Sequence, residues 1–294
     1  MDHPMISIIT PTFNRADFII KALESVKVQT YENFEHIIVD DGSTDDTRER
    51  LKPFLKDPRF HYFYQENQGQ STARNLALSK MRGEFVCFLD SDNFWVHDKL
   101  ADQISILYEK PGVDVVYGDL ITINQAGEEM SRQNIPRFSG SISLQMLKDN
   151  CVSMNTAMAR RKCFDELGGM SGKYRVADDY DLWLRFSARY RFQYVPQYFA
   201  YYRVMEKQIS SDKSARFAAN ELIINDFRKN FPDALTSAEF AEGFAYFYTR
   251  KARYLAGSGK LGSAYLALIQ AIREKPFYSV PWRALLAVTL KKFS

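Results

Sequence analysis

GEFVCFLDSDNFW, residues 83–95, is the stretch on which the reading of this 294-residue chain turns. Phe85, Val86, Cys87, Phe88 and Leu89 form a short apolar run of aromatic and branched side chains, the mark of a strand buried on both faces in a parallel sheet. Asp90, Ser91, Asp92 and Asn93 come immediately after it. Two carboxylates one residue apart at the carboxyl end of a buried strand are costly unless a cation meets them. In open α/β sheets, ligands bind in the crevice outside the strand ends. Mg²⁺ uses one or two carboxylates together with substrate phosphates. The run therefore reads either as a metal–diphosphate site or as a helix N-cap, with Asp92 or Asn93 capping the next segment. The surrounding sequence favours the first.

Upstream, residues 5–11 (MISIITP) form a buried strand stopped by Pro11, and Thr12, Phe13 and Asn14 make the turn after it. Helical spacing continues over 16–29 through Phe18, Ala22, Leu23 and Val26. A second strand over 34–39 ends in Asp40, Asp41, Gly42, Ser43, Thr44 and Asp45, where Ser43 or Thr44 can cap a helix over 46–55. A third strand covers 60–64, a helix 72–80 opens at Gly69, Gln70 and Ser71, and the fourth strand covers 84–89. This alternation predicts a parallel α/β sheet. Right-handed crossovers bring Thr12 and Asn14, Asp40 and Asp41, and Asp90 and Asp92 to one edge of that sheet. Taken alone, Asp40 to Ser43 is also a plain turn with an N-cap. Arg74 and Asn75, one turn into their helix, read as solvated surface residues, or Arg74 as a phosphate ligand.

Composition narrows the classes. Hydrophobic content of 46% and charged content of 26% describe a globular chain with ample core. A net charge of +3 gives no field pointing to nucleic acid. Cys87, Cys151 and Cys163 are scattered and odd in number, which predicts reduced thiols and a cytosolic compartment. His3, His36, His61 and His97 have no metal-ligand spacing, so zinc is not expected. The first residues, MDHPMISIITPTFN, lack a basic region followed by a long apolar stretch, and no run approaches the ~20 apolar residues of a membrane helix.

Downstream, residues 113–117 and 120–124 read as two strands joined by a turn at Gly118 and Asp119, with a second turn at 125–127. A short helix is expected over 141–148, a strand over 154–159, and a helix over 160–167 ending at Gly168 and Gly169. The glycine-rich, basic segment 168–176 is either a mobile loop or a helix C-cap. Asp178, Asp179 and Asp181 open an amphipathic helix over 180–189. Acids at a helix N-terminus are favoured by its dipole, but three exceed what capping needs. Crowded carboxylates push one pKa upward, which suits a base working near neutral pH. A strand over 192–202 completes the first domain, 1–210. The second, 211–294, has helical spacing over 215–230, 238–256, 261–274 and 280–292. From Arg250 onward it holds nine basic residues against Glu274 alone, a net +8, leaving −5 for the rest of the chain. With Trp282 and several leucines it reads as a membrane-surface element, or as helices packed on the first domain or a second subunit.

Several blocks now carry a resemblance. SIITPTFNR (7–15), HIIVDDGSTDDT (36–47), NQGQSTARNLAL (67–78), GEFVCFLDSDN (83–93), ADDYDLWLRF (177–186) and YYR (201–203) resemble, in order and spacing, the pattern of family 2 glycosyltransferases. The resemblance implies a GT-A fold, α/β with a Rossmann-like, mostly parallel sheet flanked by helices, here with a C-terminal helical appendage. It implies a nucleotide-sugar donor, Mn²⁺ or Mg²⁺, and transfer with inversion at the anomeric carbon. Pro11, Phe13 and Asp41 match positions that hold the nucleobase and ribose, Asp41 accepting from a uracil imide, so a UDP-sugar is expected. Asp90 matches the first acid of the DxD motif, facing the ribose and counted with the metal site, and Asp92 the acid that coordinates the metal on the diphosphate. Thr12, Asn14 and Ser91 complete the candidate donor-binding set, and Arg74 and Arg203 are candidates for electrostatic assistance. Asp179 matches the general base.

Two departures stand out: Asp178 replaces the family's Glu, and Met205 stands where many members carry a His. That His helps hold metal or diphosphate elsewhere, so its replacement bears on metal binding here. With no QxxRW motif and no membrane span, a single sugar is expected per encounter. The acceptor implied is a glycan or lipid-linked oligosaccharide, reached from the cytoplasm at the inner face of the cell membrane. The rivals are a nucleotidyltransferase, which would need a phosphate loop that PTFNR is not, and a non-catalytic sugar- or lipid-binding scaffold.

Overall fold

The computed structural model describes residues 4–132, 135–174, 176–205 and 212–290. In chain order the first elements are β1 (Ile6–Thr12), α1 (Ala16–Lys27), β2 (Phe34–Asp41), α2 (Thr47–Leu51), β3 (Phe60–Gln65), α3 (Gln70–Lys80) and β4 (Phe85–Phe88). They are followed by β5 (Phe94–Trp95), α4 (Lys99–Glu109), β6 (Val115–Ile123), β7 (Glu129–Arg132), α5 (Ser143–Lys148), β8 (Met158–Arg160), α6 (Arg161–Leu167), α7 (Asp178–Ser187) and β9 (Phe192–Arg203). Four helices close the chain: α8 (Lys213–Asn230), α9 (Ser237–Gly257), α10 (Leu261–Glu274) and α11 (Ser279–Thr289).

Among the described residues the strands form one sheet in the order β3-β2-β1-β4-β8-β6-β9-β5, with β7 paired to β6. β1 lies parallel to both β2 and β4, β2 to β3 and β6 to β9, while β8, β5 and β7 pair antiparallel. The expected mostly parallel sheet is therefore present. Chain order reverses between β1 and β4, so the crevice outside their carboxyl ends is the switch point where such sheets bind ligands.

The two-sided burial anticipated for residues 85–89 is visible residue by residue. Val86 and Phe88 join the cluster on one face with α3, α5, α6 and α7, whereas Phe85, Cys87 and Leu89 join the cluster on the other with α1 and α4. Period-two alternation sends successive side chains to opposite faces, so a strand covered on both faces is apolar throughout. Cys87, Cys151 and Cys163 are buried and unbridged.

Three local expectations are corrected. Residues 115–123 are one strand, not two around a turn. β6 runs through Gly118 with a register shift between Tyr117 and Asp119, because β9 passes so close there that a Cβ would lie 2.6 Å from Gln197 O and the Phe199 ring. The glycine signals close approach, not a turn. The strand expected over 154–159 is split: Met154–Thr156 is a 3₁₀ turn and only Met158–Arg160 pairs with β4. The helix expected over 46–55 is reduced to α2 and a 3₁₀ turn at Phe54–Lys56. Asp46 precedes its first residue, whereas Ser43 Oγ accepts from Asn14 N at 2.9 Å.

The helical appendage shares the main core. Ile223, Ile224 and Phe227 of α8 and Phe240, Phe244, Phe247 and Tyr248 of α9 lie in one apolar cluster with Tyr180 and Trp183 of α7. The expected domain boundary at 210/211 lies outside the described residues. A smaller cluster joins α9 to α10 and α11 through Ala256, Ala264, Leu268, Ala284 and Val288. Three tail cations are committed inside the molecule: Arg250 to Asp149, Lys251 to Glu221 and Lys275 to Glu242. No helix among the described residues is long and apolar enough to cross a membrane.

Candidate active site

The carboxyl edge of β1, β2 and β4 brings the anticipated acids together, and the N-cap reading of Asp92 and Asn93 falls away. The element next to them is the short strand β5, and Asn93 Oδ1 accepts from Arg203 N at 2.8 Å. Asp90 is fixed on both sides. Its Oδ1 accepts from Arg74 at 2.6 Å and its Oδ2 from Asn155 Nδ2 at 2.8 Å, while Asn155 Oδ1 accepts from Asp90 N at 2.8 Å. The 3₁₀ turn that interrupts the expected strand delivers Asn155 to this position. Asp92 is less constrained, with Arg15 Nε 3.7 Å from its Oδ2. Burial, then the neighbouring Asp90 charge, pushes its pKa up to about 6.

Arg74 is not a surface residue. It is 3% exposed, and its guanidinium reaches Asp90 with one nitrogen and Asp178 Oδ2 with the other at 2.8 Å. One buried cation thus joins the DxD run to the acidic cluster at the start of α7, 88 positions further along the chain from Asp90 to Asp178. Asp178 also accepts from Ser71 Oγ at 2.9 Å and from Asp179 N at 3.0 Å. Ala177, just before α7, sits at φ 67° and ψ 34°, the left-handed region that a residue with a Cβ rarely adopts. Asp179 Oδ2 accepts from Asn150 Nδ2 at 3.1 Å. Burial and the adjoining Asp178 raise the Asp179 pKa to about 6, against the opposing pull of Arg74. A carboxylate poised there is ionised at neutral pH yet basic enough to accept a proton.

The remaining candidates divide. Asp41 is 4% exposed and accepts from Gln65 Nε2, Gln68 N and Gly69 N at 2.7–2.8 Å, so it holds the turn leading into α3. Asp40 likewise accepts from Ser43 N and Tyr62 Oη, each at 2.8 Å. Asn14, at φ 50°, ties the β1 turn to the β2 turn through Thr44 N at 2.8 Å. Pro11, Thr12 and Ser91 are buried in the crevice wall, whereas Phe13 is 43% exposed at its lip. Arg203 donates to backbone carbonyls: those of Asp92 and Asn124 at 3.1 Å and of Gln125 at 2.7 Å. The segment after α6 begins with Gly168 as a C-cap at φ 77°, and Asn75 fastens it by two bonds to the Met170 backbone at 2.8 Å. The C-cap reading thus describes its start, and Asn75 is no surface residue.

The donor set suits a divalent cation shared with a substrate. Among the described residues no group of three or more His, Cys, Asp or Glu side chains is arranged to hold a metal alone. Mg²⁺, however, needs only one or two carboxylates when phosphates and water complete its shell. Asp92, crowded by Asp90 and carrying a raised pKa, is a carboxylate that a cation would relieve. Among the described residues six buried side-chain polar atoms lack a partner, and three of them, Thr12 Oγ1, Arg74 Nε and Asn93 Nδ2, belong to residues that line or face this edge. A buried polar group left unpaired calls for an explanation, and a water, an ion or a ligand that completes it is one.

Comparison with known proteins identifies the family. Residues 7–168 match the sequence profile of Glycosyl transferase family 2. The chain belongs to that family. This membership disposes of the nucleotidyltransferase reading. The chain is 31% identical over 237 residues to the UDP-Glc:alpha-D-GlcNAc-diphosphoundecaprenol beta-1,3-glucosyltransferase WfgD of Escherichia coli, covering 78% of this chain and 89% of that one. It is 34% identical over 184 residues to an uncharacterized glycosyltransferase of Rickettsia bellii, covering 63% of this chain but 26% of that one. That relative is thus several times longer than the region the two share. In structure the family member resembles Staphylococcus aureus TarS (TM-score 0.70, 20% identity, 98% of this chain and 53% of that one). It also resembles the mannosyltransferase PcManGT of Pyrobaculum calidifontis, whose structure is in complex with GDP-Man and Mn²⁺ (TM-score 0.66, 21% identity, 99% and 81% covered). These likenesses bear out the GT-A fold.

The sequence alone assigned no part in the site to Asn155, Asn150, Ser71 or Arg15. Arg15 closes the SIITPTFNR block, a signal that was available. Asn150 and Asn155 lie in ordinary local sequence, and only the folded chain carries them to Asp179 and Asp90.

Proposed function

We propose that this chain transfers a single sugar, with inversion, from a nucleotide-sugar donor to a hydroxyl of a glycan or lipid-linked acceptor. The observation that carries this reading is that two acid pairs, Asp90 with Asp92 and Asp178 with Asp179, are joined through buried Arg74, which binds Asp90 of the one and Asp178 of the other. Asp92, with Asp90 beside it, would hold Mn²⁺ or Mg²⁺ together with the donor diphosphate. A bound cation supplies Lewis-acid neutralisation of the leaving diphosphate. Asp179 takes the proton from the acceptor hydroxyl as that oxygen attacks the anomeric carbon opposite the departing nucleotide. Arg74 keeps both acid pairs in register and limits their mutual repulsion. Phe13, Pro11, Thr12, Asn14 and Asp41 form the nucleoside side of the crevice, with Ser91 beneath the diphosphate.

A uridine nucleotide is favoured because Asp41 matches, by the sequence resemblance, the family's imide-reading position, and because TarS has been crystallised with UDP and with UDP-GlcNAc. Asp41 Oδ2 accepts one bond from Gly69 N and retains a lone pair for an imide N–H. A lipid-linked acceptor is supported by the likeness to WfgD and by the outer face of the terminal helices. Trp282, Leu286 and Leu290 form an exposed apolar row at i, i+4 and i+8, next to the fully exposed Phe277 and to Arg283. Such a face suits peripheral binding at the cytoplasmic surface of an anionic membrane.

The test is a thermal-shift panel of UDP-, GDP-, dTDP- and CMP-sugars with and without Mn²⁺, followed by turnover of the stabilising donor. Asp92→Ala should remove the Mn²⁺-dependent stabilisation. Asp179→Asn should keep it and lose about 10²–10⁴-fold in transfer. Stabilisation by no nucleotide sugar, or equal small effects of both substitutions, would leave the non-catalytic scaffold as the better reading.

A further inference from the structure

The segment that ends α5 links the helical appendage to Asp179. Asn150 Nδ2 donates to Asp179 Oδ2 at 3.1 Å, and Asn150 Oδ1 accepts from Val152 N at 3.1 Å. A backbone N–H must meet the carbonyl end of the amide, so the NH₂ end is the one that faces Asp179. The residues before Asn150 are gripped from α9. Arg250 lies 2.6 Å from Asp149 Oδ1, and it donates to the Lys148 carbonyl at 2.9 Å. Asp149 Oδ1 in turn accepts from Asn150 N at 3.0 Å. The two helices are held together nearby. Lys148 pairs with Glu242 of α9 at 2.7 Å, and Gly243 of α9 presses on Leu147 so closely that no Cβ fits between them. An unbroken series of contacts therefore runs from α9 through Arg250, Asp149 and Asn150 to Asp179.

We propose that Asn150 is a positioning residue for Asp179, and that Arg250 of α9 holds Asn150 in place, so the helical appendage sets the aim of the base. The inference rests on the reading of Asp179 as the base. The charged groups facing Asp179 are Asp178 on its own helix, Arg74 from α3 and Arg216 from α8. Asn150 adds a neutral donor from the α5 side. A hydrogen bond donated to a carboxylate favours its ionised form. Loss of that bond therefore raises the Asp179 pKa, and the acidic limb of any pH–rate profile moves to higher pH.

The test reads Asp179 directly by carboxyl ¹³C NMR titration of the full chain labelled at aspartate, with the Asp179 signal assigned by its loss in Asp179→Asn. Asn150→Ala should raise the Asp179 pKa by about one unit, the size expected of one charge-assisted hydrogen bond at a partly exposed group. The isosteric Asn150→Asp keeps the shape, replaces the donor by a like charge and should shift it further. Arg250→Ala should act in the same direction. The Asn150→Ala/Arg250→Ala pair should be non-additive, as expected of residues in one network. UDP release from UDP-glucose with Mn²⁺, measured against pH, should show the same displacement of the acidic limb. An unchanged Asp179 titration in folded Asn150→Ala and Asn150→Asp overturns the inference and leaves the base assignment standing. Normal UDP release by Asp179→Asn overturns the base assignment, and the positioning role falls with it.

Discussion

Replacing Arg74 by Met keeps most of the length of the side chain and its apolar stem and removes the charge and its donors. In the folded protein Arg74 is 3% exposed, and its guanidinium carries the pairs to Asp90 and Asp178. The Asp178 side chain is 5% exposed, so it loses its cation with almost no access to water, whereas Asp90 at 28% recovers part of its solvation. Breaking a buried pair by removing one partner costs about 3–5 kcal/mol. For a chain of this size we expect a fall in Tm of about 6–15 °C. The cost should depend on pH. Asp179 already titrates near 6 with Arg74 holding it down, and loss of Arg74 raises it further. An acid whose folded pKa exceeds its unfolded value weakens the fold progressively as pH rises from the unfolded pKa to the folded one, so a further rise of the folded pKa adds its cost only above the wild-type value. Arg74→Met should thus be considerably more destabilised at pH 8 than at pH 5. Differential scanning fluorimetry and urea unfolding at the two pH values measure this. A fall under about 3 °C at pH 8, or an equal fall at both, would mean that the guanidinium is not compensating the acids, and the reasoning that joins the two acid pairs through it would be wrong.

Two further outcomes rest on the packing. Gly118→Ala must push against Gln197 O and the Phe199 ring at 2.6 Å, and should cost about 1–3 kcal/mol by urea unfolding; a neutral effect would mean that β9 is not held that close to β6. Co-sedimentation with anionic vesicles, but not neutral ones, is expected at low salt and should weaken as salt rises. Trp282→Ser combined with Leu286→Ser should reduce it without loss of fold, because Leu286 is exposed and Trp282 is half-exposed outside the apolar clusters. These surface changes test membrane binding more cleanly than truncation after Gly259, which would strip Ala264, Leu268 and Ala271 from the clusters they fill. Sedimentation indifferent to lipid charge would leave the apolar row to a protein partner.

What the sequence determined alone is local and periodic. The apolar run at 85–89, ended by Asp90 and Asp92, states a strand covered on both faces with acids at its carboxyl end, because side-chain alternation and the cost of burying charge act within a few residues. The repeated strand–helix rhythm states a parallel sheet, and crossover handedness places the acids on one edge. Tertiary structure alone decided everything that depends on partners from far along the chain. Gly118 looked like a turn and proved to be a contact, because the neighbour that forbids a Cβ is β9. Residues 154–159 looked like a strand, but forming one would have withheld Asn155 from Asp90. Asn75 read as solvent-facing, and Arg74 as either solvent-facing or a phosphate ligand, because helical spacing says nothing of which partners approach a given face. The basic tail read equally as a membrane-surface element or as packed helices, and the fold shows Arg250, Lys251 and Lys275 paired with acids on α8 and α9 or just beyond the end of α5. Backbone preference and hydrophobic period are written in neighbouring residues, whereas the pairing of buried charges is settled only when distant segments meet and water is excluded between them.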